Sequence, residues 1–319
     1  MPLAKIQFSP GVNKEGTEYT ADAGWFDSDK IRFRKGRVEK IGGWIKAVTD
    51  TFYGIARSLH SWSSLEGTRY LGVGTNLKFY VNEGATFNDV TPLRLTTGAG
   101  DATFAATNGS STITVTEVGH GAAVNDFVTF SSAASLGGNI TAAVLNQEYQ
   151  VVSVTSTDVF TIEAVDTSGN SVSANASDTG NGGSSTVAKY QINSGLNAFI
   201  VGTGWGSGAW GAGTFGSASS IASAGQLRLW SQDNFGEDLI FNARGGGIYY
   251  WDESVGVGTR AVNATALAGA SDVPTIALQV MVSDVDQHVI AFGSNPIGSA
   301  EIDPLFVRFS DQQNAADWT

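Results

Sequence analysis

Three short runs, Ser58-Leu-His-Ser-Trp62, Arg69-Tyr-Leu-Gly-Val73 and Leu77-Lys-Phe-Tyr-Val81, decide how this chain folds. Each is rich in aromatic and β-branched residues, and polar turns part it from the next, so the set reads as an antiparallel meander. The pattern returns as Leu227-Arg-Leu-Trp230, Asp238-Leu-Ile-Phe241 and Ile248-Tyr-Tyr-Trp251, with Trp62 and Trp230 expected to close the first strand of each copy. A third copy begins at Gln279-Val-Met-Val282, continues at His288-Val-Ile-Ala-Phe292 and resumes at Leu305-Phe-Val-Arg-Phe309. No window of 11–18 residues keeps the i, i+3, i+4, i+7 apolar spacing of a capped helix. The expected fold class is all-β. Meanders repeated at this size are blades of a β-propeller, here a partial one. An ordinary β-sandwich with similar hairpins is the alternative.

Between the first and second copies the character changes. Residues 95–190 hold eight acidic residues, one basic residue (Lys189) and no Trp. Runs at Ser111–Thr116, Phe127–Phe130, Glu148–Val154 and Val159–Ile162 suggest a small β-barrel or sandwich of about five strands. The polar tract from Ser168 to Thr186 reads as loop. Insertion at a hairpin tip is tolerated because the loop ends there already lie close together. The expected organisation is an N-terminal arm over 1–50, a first blade over 51–94, an inserted β-domain over 95–190 and further blades over 191–319.

Composition bounds the function. The 319 residues include 40 Gly and no Cys, and only 15% are charged. Lacking Cys, the chain has no disulfide scaffold, thiolate zinc site or Cys nucleophile. No apolar run approaches the ~18–20 residues of a membrane span, and the N-terminus MPLAKIQFSPG has no apolar signal core. The formal charge of −12 argues against a general affinity for nucleic acid phosphates. Its distribution is uneven. Residues 1–50 carry nine positive and seven negative charges, and the other 269 carry nine and 23.

The run from Lys30 to Trp44 carries six of the nine positive charges of the first 50 residues. Ile31 and Phe33 alternate with Lys30, Arg32 and Arg34; Lys35-Gly36 reads as a turn, and the return run from Val38 to Ile41 ends at Gly42-Gly43. One face of this hairpin is basic and the other apolar. It is either an ordinary solvated strand face or a strip for an acidic partner or DNA phosphates. A second unusual tract, Gly202 to Gly216, sets Trp205, Trp210 and Phe215 five residues apart among glycines. Its overlapping G-x-G-x-x-G matches arise from repetition, with no βαβ unit around them, so they are no dinucleotide fingerprint. The tract is either an ordered loop capping the core or an interface or lumen loop.

No catalytic constellation emerges, and the chain reads as a non-enzyme without metal or cofactor. His60 and His120 sit in a strand and a turn and read as structural, while His288 is expected to pair with Asp286. Asp27-Ser-Asp29 and Asp284-Val-Asp286 offer too few oxygens for calcium.

The stretch Gly24 to Trp44 resembles the N-terminal signature of virion structural proteins of tailed bacteriophages. Asn234–Phe241, Gly247–Asp252 and Arg308–Trp318 add to the likeness. The resemblance is to tail hub or nozzle proteins of short-tailed phages, with P22-like and T7-like tails as architectural relatives. It implies a β-propeller subunit of a homo-oligomeric ring, a hexamer, below the portal and adaptor. Other tail proteins are then neighbours, and double-stranded DNA passes through transiently. The location implied is the virion tail, after assembly in the host cytoplasm. Trp25, Lys30, Arg32, Arg34, Lys35, Arg37 and Trp44 are the expected docking residues. The chain stops within an expected blade, at Asp317-Trp-Thr319, so a remainder on another polypeptide or a longer parent is expected. The alternative is a host-surface adhesin or fibre component, and a polysaccharide hydrolase is a third reading.

Overall fold

The computed structural model describes residues 9–15, 17, 19, 24–43, 45, 46, 48–197 and 227–319. It divides into two units, Met1–Thr49 and Asp50–Thr319. The described residues are all-β: six antiparallel sheets, with one four-residue helix and two short 3-10 turns.

In the first unit, β1 (Ile31–Arg34) pairs with β2 (Arg37–Lys40). Lys35 and Gly36 join them, both left-handed with φ of 48° and 73°. Two successive positive φ values give the turn whose twist matches that of paired strands. The register aligns Arg32 with Glu39 and Arg34 with Arg37, so these four share one face. Ile31, Phe33, Val38 and Lys40 share the other. Trp25 meets Phe33 edge-on at 6.2 Å.

The second unit opens with a four-stranded meander: β3 (Ala56–Ser63), β4 (Arg69–Thr75), β5 (Phe79–Glu83) and β6 (Thr86–Asp89). Eight strands follow: β7 (Leu93–Thr96), β8 (Thr103–Ala106), β9 (Thr112–Thr116), β10 (Phe127–Ser131), β11 (Glu148–Gln150), β12 (Ser153–Ser156), β13 (Val159–Glu163) and β14 (Val187–Gln191). They form two sheets, ordered β11-β10-β14-β7 and β12-β13-β9-β8, around a core that includes Phe104, Phe130, Phe160 and Tyr190. The first and last of the eight pair with each other, so this segment leaves and rejoins the chain at adjacent points. Helix α1 (Ala142–Leu145) is capped by Thr141, whose hydroxyl accepts from the Val144 amide.

The sequence suggests one strand over Glu148–Val154. The chain instead breaks at Val151, which exchanges backbone bonds with Asn125 and Asp126, and it continues in the other sheet. Val151 is fully buried at that corner. Val151, Val152 and Val154 conceal the crossing, so two strands, β11 and β12, stand where the sequence suggests one.

Two more meanders complete the unit. The second contains β15 (Trp230–Phe235), β16 (Asp238–Ala243), β17 (Ile248–Trp251) and β18 (Val262–Asn263); the third contains β19 (Gln279–Val282), β20 (Val289–Phe292) and β21 (Val307–Phe309). The second sheet is buried on both faces. Toward the first meander, Leu239 and Phe241 join Trp62, Phe79, Val81 and Trp251 in one core. Toward the third, Ile240 and Ile248 join Val280, Val282, Val289 and Trp318 in another. Period-two alternation thus supplies two cores from one strand. Phe79 and Phe241 stack with centroids 3.9 Å apart and planes 6° from parallel.

Trp230 opens β15 rather than closing a strand, whereas Trp62 lies near the end of β3. The strand proper is the polar run Ser231-Gln-Asp-Asn234, and each side chain in it has a partner in a neighbouring sheet. Facing the first meander, the Trp230 indole donates to Thr75 O at 2.6 Å, and Gln232 Nε2 donates to Ser58 Oγ at 2.9 Å. Facing the third, Ser231 Oγ accepts from the Val280 amide at 2.8 Å and Asp233 Oδ2 from the Val282 amide at 3.0 Å. These bonds satisfy edge groups of β19 that no strand pairs, which removes a hazard of open sheet edges. Glycine at 74 permits the approach, because a Cβ there would lie 2.5 Å from the Trp230 ring.

Candidate functional site

The first strands of the three meanders, β3, β15 and β19, lie side by side and line a groove of about 630 Å³. Ser58, Leu59, Gln232, Asp233, Arg244, Met281 and Phe292 are among the residues that line it. Leu59 is 65% exposed and Met281 is 41% exposed, so the apolar part of the lining is open to solvent. Among the described residues Arg244 makes no side-chain hydrogen bond or ion pair, whereas Asp233 is held by the Val282 and Asn234 amides. The groove can therefore offer a free guanidinium beside a fixed carboxylate.

The basic hairpin presents a different chemistry. Arg32 pairs with Glu39 at 3.2 Å and Lys30 with Asp29 at 3.6 Å, both well exposed. Surface pairs of this kind contribute little stability. Arg34, Lys35 and Arg37 are exposed, and among the described residues they form no ion pair. Positive charge is thus displayed rather than used internally. Trp25 is half-buried next to the hairpin. Trp44, Trp205, Trp210 and Phe215 lie outside the described residues.

A third cluster joins the eight-stranded segment to the meanders and is absent from the residues expected above. Buried Lys78 Nζ donates to Asp89 at 2.8 Å and to Glu148 at 2.5 Å, and lies 4.3 Å from the centre of the Phe127 ring. Arg260 approaches the same carboxylates at 3.2 and 3.6 Å, and Gln191 donates to Glu148 at 2.7 Å. Burial raises the Asp89 carboxyl, but Lys78 and Arg260 more than reverse this and hold it below its usual range. The cations and carboxylates balance and are saturated with partners, so the cluster is a structural clamp. Its one sequence signal is Lys78 itself, a lone cation within the apolar run Leu77–Val81.

The histidines have structural partners. His60 Nε2 lies 3.2 Å from Asn234 Oδ1 and 3.9 Å from Asp233. His120 Nδ1 accepts from the Ala122 amide, which leaves Nε2–H to donate to Ser156 O; burial pushes the imidazole below its ordinary pKa. His288 Nδ1 bonds Ser310 O at 2.7 Å, and the expected partner Asp286 accepts from Gln312 instead. The β19–β20 turn carries Asp286 away while β21 brings Ser310 close.

Buried tyrosine–carboxyl pairs recur. The Tyr190 hydroxyl donates to Glu117 at 2.5 Å, the Tyr70 hydroxyl to Glu253 at 2.7 Å, and the Tyr250 hydroxyl to Asp238. Burial raises Glu117 and Asp238 above the usual carboxyl range, and it raises all three phenols. None of these six residues lines the groove. Among the described residues, no three His, Asp or Glu side chains converge on a cation-sized site, and no helix is long and apolar enough to cross a membrane.

No family model matches the chain, and no curated protein matches it. Among solved structures it is similar to a phage phi92 endosialidase, at 15% identity and a TM-score of 0.22. The match covers 82% of this chain and 37% of that one, so this chain spans well under half of that protein's length. A likeness of this size assigns neither an activity nor a fold detail.

Proposed function

We propose that the chain is a structural subunit of a bacteriophage tail, contributing to a ring of hub or nozzle type through which DNA leaves the particle. The observation that carries this reading is the serial packing of three meanders with their first strands adjacent. Blades are arranged in that way around a propeller axis. The sequence resemblance of residues 24–44, 234–241, 247–252 and 308–318 supports the same assignment. The role is mechanical and electrostatic. A strongly acidic body repels phosphates and lets a duplex slide without adhering, and the basic hairpin supplies attraction to neighbouring subunits.

Electron cryo-microscopy of tails locating this chain tests the proposal. A ring at the portal end of the virion supports it, and density confined to fibre tips overturns it. Reversing Arg32, Arg34 and Arg37 to Glu is expected to reduce tail assembly, and fully occupied tails would remove the hairpin's role. A second reading, a host-surface-binding component, is favoured by the groove's mixture of Arg244, Asp233 and exposed apolar side chains. Glycan-array binding that Arg244→Ala abolishes would favour that reading over the first.

A further inference from the structure

We propose that the outer face of the third sheet docks the basic hairpin of a second copy of this chain. The inference rests on the reading of the chain as a self-assembling subunit, and it identifies the two surfaces that meet. One side of the third sheet is spent on the second meander, through Val280, Val282 and Val289. The register places Met281, Ile290 and Phe309 in one row of the opposite side, and Gln279, Phe292 and Val307 in the next. Phe309 is 65% exposed and Val307 is 49% exposed. Large apolar side chains contiguous on an open sheet face mark an interaction surface.

Carboxylates stand at both ends of that face, while Arg244 of the second meander lines the groove shared by Met281 and Phe292. Asp284, Asp286 and Asp311 are exposed at the end bearing the β19–β20 turn, and Glu301 and Asp303 are exposed at the other. From 261 to 319 the only Lys or Arg is Arg308. It is buried on the inner side, where its guanidinium donates to Asp272 O and Trp318 O. The carboxylates therefore have no cation of their own segment facing them. An occupant must be apolar at its centre and basic at both ends.

The hairpin has that distribution. Ile31, Phe33 and Val38 share its apolar face, Lys35 sits at its turn, and Lys30 and Lys40 sit at its open end. Its strands have four residues, as do β19 and β20. At ~3.3 Å per residue both surfaces span about 13 Å between their charged ends. The charge division agrees. Residues 1–49 carry nine basic and six acidic residues, net +3, and residues 50–319 carry nine and 24, net −15, which together give the −12 of the chain. Duplex DNA, the other polyanion-seeking strip's natural target, has no place on a face rimmed by carboxylates. A contact between two different patches of identical subunits runs head to tail, and it closes into a ring when the rotation permits.

Cysteine trapping tests the contact cleanly, because the native chain has no Cys. Full-length Val38→Cys and Met281→Cys proteins, mixed under mild oxidation, are expected to give a covalent dimer of twice 33.2 kDa. The yield should be at least ~10-fold above that of Val38→Cys mixed with Asn108→Cys, whose position is exposed on the eight-stranded segment. Adding Asp284→Lys and Asp286→Lys to the Met281→Cys partner should lower the yield about tenfold at low salt, as loss of a few favourable surface pairs implies. A yield no greater than the control overturns the proposal. So does closure within one chain when both cysteines are placed in a single dilute monomer. Rings that form without the cross-link refute the docking contact and leave the ring assignment standing. Cross-linked dimers without rings do the reverse.

Discussion

Lys78→Met is the most searching test of how the second unit holds together. The ammonium is buried and touches Asp89 and Glu148, while the methionine stem keeps the contact with Phe127. Removing one partner of a buried ion pair costs about 3–5 kcal/mol, because the remaining charge is left uncompensated. Here Arg260 stays 3.2 Å from Asp89, and Gln191 stays 2.7 Å from Glu148, so the cost falls at the lower end, about 3 kcal/mol. For a unit of this size about 2 °C is lost per kcal/mol, so thermal unfolding should fall by about 6 °C. The acid limb gives an independent reading. A carboxylate held below its usual range stabilises the fold above its unfolded value of about 4, and gives that up as pH falls through the folded value. Asp89 is such a group, and Lys78 is the largest of the influences that lower it. Without Lys78 the Asp89 carboxyl is no longer held as low, so Lys78→Met should show its largest deficit near neutral pH and a flatter acid limb than the native protein, and adding Glu148→Gln should restore part of the loss. Differential scanning calorimetry across pH 3–7 measures both. A midpoint within ~2 °C of native and an unchanged acid limb would show that the cluster is not a clamp.

Other consequences follow from the same contacts. Gly74→Ala would set a methyl 2.5 Å from the Trp230 ring and should destabilise by about 1–3 kcal/mol in urea titrations, with a shift in tryptophan emission as the first two meanders part. Asp233→Ala frees the Val282 amide, whose hydrogen-exchange protection should drop about tenfold while that of Leu239 holds; equal protection at Val282 would show that the cap is idle. Glu117 is held above the usual carboxyl range by burial, so the folded state binds its proton more tightly than the unfolded chain. Stability then declines as pH rises through the interval between those two values, and Glu117→Gln, which can still accept from Tyr190, should flatten the pH–stability curve there.

The sequence made the all-β class legible because its strands announce themselves through aromatic and β-branched runs between turns. Leu239–Phe241 and Ile248–Trp251 needed no tertiary knowledge. The Lys35-Gly36 turn was legible through Gly36, which adopts a positive φ at no steric cost, whereas the left-handed Lys35 is set by the pairing of the two strands. Strand β15 was not plain. Its Ser231, Gln232, Asp233 and Asn234 look like loop, and they belong to a strand only because Ser58 on one side and the Val280 and Val282 amides on the other give each polar group a partner. That partnership spans from about 49 to 174 residues of sequence. The break at Val151 and the Ser310 partner of His288 were hidden for the same reason, because long-range pairing decides them and local pattern does not.

The polar strand also bears on how the second unit would grow. A sheet that presents apolar residues on both faces can stack in series, but apolar contact alone does not fix which strands lie side by side. Alternating Ser231 and Asp233 do so here, because each accepts one specific amide of β19, and a slip of one residue would leave both half-buried groups without those donors. On the third sheet the corresponding outward positions hold Gln279 and Met281, which have no carboxylate or hydroxyl for a following strand edge. The register device thus stops at the third meander, although apolar surface continues through Phe309 and Val307. A surface with that character suits a partner aligned by charge at its ends rather than by amide caps along its length. The carboxylates at both ends of the third sheet are where such alignment would act.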